Sequence, residues 1–273
     1  MAEGKTKIIT PLWDGCHISS AFTKDDITAK DGKVRAIMDG KGELATRTTC
    51  NVFEMLRAKG IQTAYVGRDG PKTFLTRPCT MIPVEVVVRE VATGSYRKRH
   101  PDVPEGARLK EPVVEFFYKT KNGMIGDRVL PCDDPLMEWH IDKGDFNLFF
   151  PDKPQAEGYI GCLGLSSKDA TMLFEQLEEC AVIALKVFMH LRDAWWDVGG
   201  DLFDFKIEFG FLPDGALVVA DVIDCDSWRV LWEGIQLSKQ PFREDPEALA
   251  QVKQMYRIAA SLTDRFVMPR VPE

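Results

Sequence analysis

The stretch DLFDFKIEFGFLPDGALVVADVIDCD, residues 201–226, decides the fold class. In its first half, Phe203, Phe205, Ile207 and Phe209 alternate with Asp204, Lys206 and Glu208. Successive side chains of an extended strand point to opposite faces, so the apolar set shares one face and the charged set the other. Residues 212–215 (Leu-Pro-Asp-Gly) have turn chemistry, and the apolar run from Ala216 reads as a returning strand. The stretch therefore predicts a β-hairpin. Asp221 interrupts the returning strand, and pairing across the short loop sets it opposite about Lys206. In that register Asp204, Lys206, Glu208 and Asp221 share one face, with three carboxylates around one ammonium. Uncompensated buried charge is costly, so the carboxylate excess calls for a further cation. Mg²⁺ held by carboxylate and nucleotide phosphate oxygens meets that need. The competing reading is a solvated face with a single cross-strand ion pair.

Working outward, residues 41–59 predict a helix: Leu44, Thr48, Val52 and Leu56, and beside them Ala45, Thr49 and Phe53, recur at three- and four-residue spacing, and Gly60 suits a C-cap. IQTAYV, 61–66, reads as a strand and GRDGPK, 67–72, as a turn. MIPVEVVVREV, 81–91, is a second extended run, with Val84, Val86 and Val88 opposite Glu85, Val87 and Arg89. Residues 120–165 are rich in Gly, Pro and Asp and predict loops and short elements. Ser166 or Ser167 caps a long helix to about Trp196, with Leu173, Leu177, Cys180, Ala184, Val187 and Leu191 as its apolar stripe and Trp195 and Trp196 closing the core. A last helix runs from about Pro246 to Phe266. Hairpin strands mixed with separate helices indicate an α+β fold.

The chain has 273 residues, enough for a substantial core, and a formal net charge of −7. A negative sum disfavours nucleic-acid binding but leaves room for a small anionic ligand in a local cationic pocket. The seven cysteines form no CxxC, and the histidines form no HExxH, which argues against zinc. Scattered, odd-numbered cysteines suggest reduced thiols in the cytoplasm. No apolar run approaches a membrane span.

Three further segments bear chemistry. In REVATGSYRKR, 89–99, Arg89 ends a strand-like run, Thr93, Gly94 and Ser95 read as a turn, and Arg97, Lys98 and Arg99 follow. Backbone N–H groups, a hydroxyl and guanidinium donors suit a phosphate monoester, although a solvated basic turn has the same composition. EGKTK, 3–7, sets Lys5 and Lys7 on alternate positions, as a phosphate cover or as an exposed terminal strand. DCDSWR, 224–229, crowds Asp224, Asp226, Ser227 and Arg229 at a strand end, as a site or an ordinary turn.

Taken in order, EGKTK, MIPVEVVVREVATGS, LFDFKIEFG and VVADVIDCDSWR resemble the motif series of the phosphoribosylaminoimidazole-succinocarboxamide synthase (SAICAR synthetase) family over nearly the whole chain. The resemblance implies a two-lobed α+β SAICAR-synthase-like fold, related in plan to ATP-grasp enzymes and kinases. Residues 1–80 would form a mostly β, nucleotide-covering lobe, and residues 81–273 an α+β lobe with the substrate and Mg-ATP sites. The implied reaction joins L-aspartate to carboxyaminoimidazole ribonucleotide (CAIR), with ATP as co-substrate, Mg²⁺ as cofactor and an acyl phosphate between, in purine biosynthesis. The resemblance assigns Lys5, Lys7, Met81, Glu85, Glu208 and Asp221 to ATP, with Glu208 and Asp221 as the Mg²⁺ carboxylates. It assigns Arg89, Ser95 and Arg229 to CAIR, and Lys206 with Asp204 to catalysis. Asp204 would be a Mg²⁺ ligand or would orient Lys206. The family's lysine after an aromatic pair falls on Lys119 or Lys121, its following aspartate on Asp127, and residues 133–165 match poorly. A cytoplasmic enzyme with no nucleic-acid or membrane partner is implied, and a homo-oligomer is left open.

Overall fold

The computed structural model describes residues 1–29 and 34–267; residues 268–273, the end of the expected C-terminal lobe, lie outside the described residues. The chain divides into two compact units, 1–81 with 189–202 and 209–273, and 82–188 with 203–208. The C-terminal segments thus group with residues 1–81.

The first unit contains a five-stranded antiparallel sheet in the order Ala2–Glu3, Lys7–Pro11, Ser19–Thr23, Thr73–Thr76, Tyr65–Arg68. Only the end of the expected 61–66 strand is ladder; Thr63 makes an isolated bridge to Val219. The predicted helix occupies Lys41–Ala58. It ends at Gly60, whose φ of 78° is the left-handed conformation that glycine adopts at little cost. There Gly60 N donates to Arg57 O and Ile61 N to Leu56 O, which satisfies the terminal carbonyls. Near the helix start, a Cβ on Gly42 would lie 2.4 Å from Thr23 O, so glycine is what lets the helix approach that strand.

Leu249–Thr263 forms the last helix, starting three residues later than expected because Asp245 and Ala248 close a turn ahead of it. It packs on Lys41–Ala58, and Asn51 Nδ2 donates to Asp264 Oδ1 at 2.9 Å beyond its end. Trp195 is fully buried, edge-on to Trp228 and Phe266, whereas Trp196 is 72% exposed. The expectation that both close the core is corrected: neighbours on a helix are about 100° apart, so a face that buries one turns the other outward. The returning hairpin strand is also shorter than expected. It covers Leu217–Ala220 and stops where Asp221 takes φ 61°, a conformation that aspartate tolerates better than most residues.

The second unit is built on a sheet in the order Tyr159–Cys162, Asp145–Phe149, Leu136–His140, Arg108–Tyr118, Thr80–Val91, Gly200–Phe211, with the first five strands antiparallel to their neighbours in that order. The middle region expected to be loops and short elements therefore supplies three short strands. Val84, Val86 and Val88 point into the core, as their alternation predicts. The long helix spans Ser167–Asp197, and Ser166 Oγ accepts from Asp169 N at 3.2 Å as its cap. Leu173, Leu177, Cys180, Ala184, Val187 and Leu191 are all buried along it. Phe188 meets Phe205 with ring centroids 5.7 Å apart.

Candidate active site

In the second unit, strand register aligns one polar row. Glu85 lies opposite Phe117, Val87 opposite Glu115, and Arg89 opposite Val113. Because directly opposed residues share a face, Glu85, Arg89 and Glu115 project to the same side. The contacts of Asp204, Lys206 and Glu208 put them on that side too. Asp204 and Glu208 are each only 4% exposed, so the charged face of residues 203–209 is buried and the solvated-face reading is excluded.

Two ionic groups occupy this face. In the first, Lys206 Nζ donates to Glu208 Oε1 at 2.7 Å and lies 3.3 Å from Glu85 Oε1, while Lys119 Nζ donates to Glu208 Oε2 at 2.6 Å. Of the two family-lysine candidates, Lys119 is therefore the one seated on Glu208. Burial by itself pushes the Glu208 carboxyl up, but Lys206 and Lys119 outweigh it and hold the group at about 2. Burial likewise pulls the Lys206 ammonium down, and the Glu85 and Glu208 carboxylates override it to leave Lys206 well above its ordinary value. Both groups are charged at any working pH.

The second group is a buried chain of alternating charge. Arg89 Nη1 donates to Asp204 Oδ2 at 2.7 Å and Arg89 Nε to Glu115 Oε2 at 2.5 Å; Arg99 donates to Glu115 Oε1. Thr93 Oγ1 donates to Asp204 Oδ2 at 2.7 Å, and Arg89 Nη2 donates to Ser95 Oγ at 3.3 Å. Desolvation would lower the Arg89 pKa, yet Asp204 and Glu115 raise it. The alternation is what makes so much buried charge tolerable. The Thr93-Gly94-Ser95 segment is not a simple turn: Gly94–Arg99 is a short helix that turns Arg99 inward to Glu115. Arg99 is therefore not part of a solvated basic turn. For Asp204, the Arg89 and Thr93 contacts point to a third role besides Mg²⁺ ligand or Lys206 partner, that of anchoring Arg89.

In the first unit, Lys7 forms an ion pair with Asp221. Lys5 lies exposed two residues earlier, Met81 is 41% exposed, and Arg229 is half-buried on the strand Trp228–Trp232. The DCDSWR segment begins as a largely buried turn. Asp224 Oδ1 accepts from Asp226 N at 2.8 Å, and Ser227 Oγ donates to Val222 O at 3.1 Å. Asp226 is held by Lys41 at 3.3 Å, by Lys239 at 3.6 Å and by the Tyr256 hydroxyl. Desolvation opposes ionisation of Asp226, but Lys239 and Lys41 keep its carboxyl well below the ordinary range.

Sequence reasoning missed Glu115, Lys41 and Lys239, and it read Arg99 as part of a basic turn rather than as the partner of Glu115. Glu115 had a usable signal: in VVEFFY it takes an apolar position of an alternating strand. Lys41, only 1% exposed, had none, because its partner lies 185 residues away.

The SAICAR synthetase family model matches residues 1–141 and 162–259. A phosphoribosylaminoimidazole-succinocarboxamide synthase of Roseiflexus castenholzii is 39% identical over 274 residues, covering 98% of this chain and 97% of its own. Among solved structures, a SAICAR synthetase in complex with ADP aligns with TM-score 0.73 at 30% identity, over 100% of this chain and 99% of that one. A SAICAR synthetase of Pyrococcus horikoshii aligns with the same TM-score, 0.73, at 30% identity over 98% of this chain and 99% of that one.

Proposed function

The chain belongs to the SAICAR synthetase family, and on that premise we propose that it joins the amine of L-aspartate to the carboxylate of CAIR, cleaving ATP to ADP and phosphate, in purine biosynthesis. The observation that carries the proposal is the half-buried Lys206 ammonium, clamped by Glu85 and Glu208 on the sheet face that also bears Arg89.

A carboxylate resists attack by an amine until one of its oxygens becomes a leaving group. The CAIR carboxylate oxygen attacks the γ-phosphorus and ADP departs. The aspartate amine then attacks the acyl carbon of the resulting acyl phosphate, phosphate leaves with that oxygen, and the amine gives up a proton. The protein's share is alignment and charge stabilisation. Lys206, permanently charged and held by two carboxylates, stabilises negative charge on the transferring phosphoryl group. Arg89 receives the CAIR phosphate at its Nη2 edge beside the Ser95 hydroxyl, with Arg229 as a third contact. Asp204 and Glu115 hold the Arg89 guanidinium in orientation. Lys5, Lys7, Met81 and Glu85 serve the nucleotide, within a covering role for residues 1–80.

Glu208 and Asp221 are the proposed Mg²⁺ carboxylates, and the bound ion would screen phosphate charge. The fit rests on Glu208 being ionised at every working pH. Among the described residues no group of three or more His, Cys, Asp or Glu could hold a metal alone. Phosphate oxygens and water would complete the shell of an ion held by Glu208 and Asp221, as Mg²⁺ favours. We also infer a cytoplasmic enzyme, an inference supported by seven free cysteines. No helix among the described residues is long and apolar enough to cross a membrane. The deciding experiment is ADP release by the purified protein with Mg-ATP, CAIR and aspartate. Multiple-turnover release must require both CAIR and aspartate, and sustained release that ignores either one refutes the proposal.

A further inference from the structure

Gly210 lies near the end of the strand Gly200–Phe211, and in the two-residue period it is the next position after Glu208 on the charged face. Its φ lies outside the left-handed region, so backbone conformation does not demand a glycine there. Space does. A Cβ at position 210 would lie 2.8 Å from Cys79 Cβ, 3.1 Å from Thr80 O and 3.1 Å from Met81 Sδ. Two carbons meet without repulsion at ~3.5–4.0 Å, so an alanine at 210 must displace the 79–81 segment.

What holds Cys79 sets where that displacement goes. Arg77 N donates to Ala64 O at 2.8 Å, and Arg77 Nη2 to Thr63 O at 2.5 Å. Ala64 N in turn donates to Val219 O at 2.8 Å, and Val219 N to Gln62 O at 3.0 Å. Cys79 Sγ donates to Arg77 O at 3.3 Å, and the side chain packs on the cluster of Ala64, Leu212, Val218 and Ala220. Residues 77–79 are therefore fixed from behind by hydrogen bonds and packing. Thr80 and Met81 are exposed, so they are the part of the segment that gives.

We infer that Gly210 is a positioning residue for the nucleotide: its missing side chain gives the Met81 thioether its seat against the strand end, and that seat sets how tightly the adenine base is held. Gly210 itself touches no substrate. The inference rests on the reading of Met81 as a nucleotide contact. A thioether against an aromatic ring contributes roughly 2- to 10-fold in affinity and depends on its distance from the ring, so displacing Met81 forfeits a factor of that size.

The test is calorimetric titration of the full-length protein with Mg-ADP, with the CAIR KM and the thermal midpoint measured alongside. Gly210→Ala is expected to weaken Mg-ADP by about 3- to 10-fold and to leave the CAIR KM within about 2-fold of wild type. Adding Cys79→Gly removes the 2.8 Å contact and should recover part of the lost affinity. A folded Gly210→Ala protein with wild-type Mg-ADP affinity, equal losses for Mg-ADP and CAIR, or no recovery in the double variant would each overturn the inference. If Gly210→Ala does not fold, Met81→Ala carries the test: it should weaken Mg-ADP by the same factor, and an unchanged affinity would overturn the inference. Wild-type protein that does not bind Mg-ADP would remove the nucleotide reading of Met81 and this inference with it. Tight wild-type binding that Gly210→Ala leaves unchanged would remove the inference alone.

Discussion

Lys206→Met isolates the charge from most of the side-chain volume. The Glu208 carboxyl is held at about 2 instead of 4.5. At about 1.36 kcal/mol per pH unit, that net lowering corresponds to about 3 kcal/mol favouring the ionised carboxylate, left over after Lys206 and Lys119 have offset the cost of burial. Lys206 takes the larger part: its side chain is 24% exposed against 40% for Lys119, so its charge is less screened. Its loss should therefore cost on the order of 2 kcal/mol and raise the Glu208 carboxyl, with Lys119 still favouring the ionised form. The variant is expected to fold. Catalysis should suffer more, because removing one preorganised donor from a transition state typically costs ~10²–10³ in kcat. The CAIR KM should stay within ~3-fold, since Arg89 and Ser95 hold the other end of that substrate. Coupled ADP-release kinetics with CAIR varied at saturating Mg-ATP and aspartate measure both quantities. Lys206→Arg, which keeps the charge, should recover part of kcat. Equal losses in turnover and CAIR affinity would refute a role in stabilising the transferring phosphoryl group.

Arg89→Lys, which keeps a charge in the buried chain but loses the forked geometry, should raise the CAIR KM by ~10–100-fold with a smaller change in kcat; an unchanged KM would remove Arg89 from the substrate site. Stability should also depend on acid through Glu208. Its folded value lies below the unfolded one, so its contribution is complete above pH 4.5 and is lost as pH falls through about 2. By pH 3 wild type should have lost ~2 kcal/mol from this source, and Glu208→Gln should lack that part of the slope in urea titrations. Identical slopes for the two proteins would contradict the two-lysine clamp. Gly42→Ala would force a Cβ to 2.4 Å from Thr23 O and should destabilise the protein by ~1–3 kcal/mol in thermal unfolding, despite alanine's better helix propensity. A raised midpoint would mean that the helix start and the strand can separate freely.

Much of the fold was legible because local periodicity carries it. The 41–58 helix, its Gly60 stop, the apolar stripe of the long helix and the alternation of 81–91 and 201–210 all follow from spacing. The errors came where two residues with similar local signals meet different tertiary surroundings. Trp195 and Trp196 are indistinguishable by hydropathy, yet a helix face can bury only one of them. Asp221 looked like an interruption within a strand and is its end, because the strand's continuation depends on what it pairs with and not on its own composition. Arg99 looked like one member of an exposed basic run until its carboxylate partner, Glu115, became visible.

The sequence by itself determined that residues 203–209 present charge on one face and apolar bulk on the other, since a two-residue period is a property of extended backbone. It also determined the family, because the ordered motifs span the chain. Whether that charged face is wet or buried, and which cation meets which anion, was decided by tertiary structure alone. Lys119 reaches Glu208 across 89 residues, and Arg89 reaches Asp204 across 115. The physical reason is that an ion pair depends on distances of a few ångströms between side chains, and strand register sets those distances between residues that sequence keeps far apart.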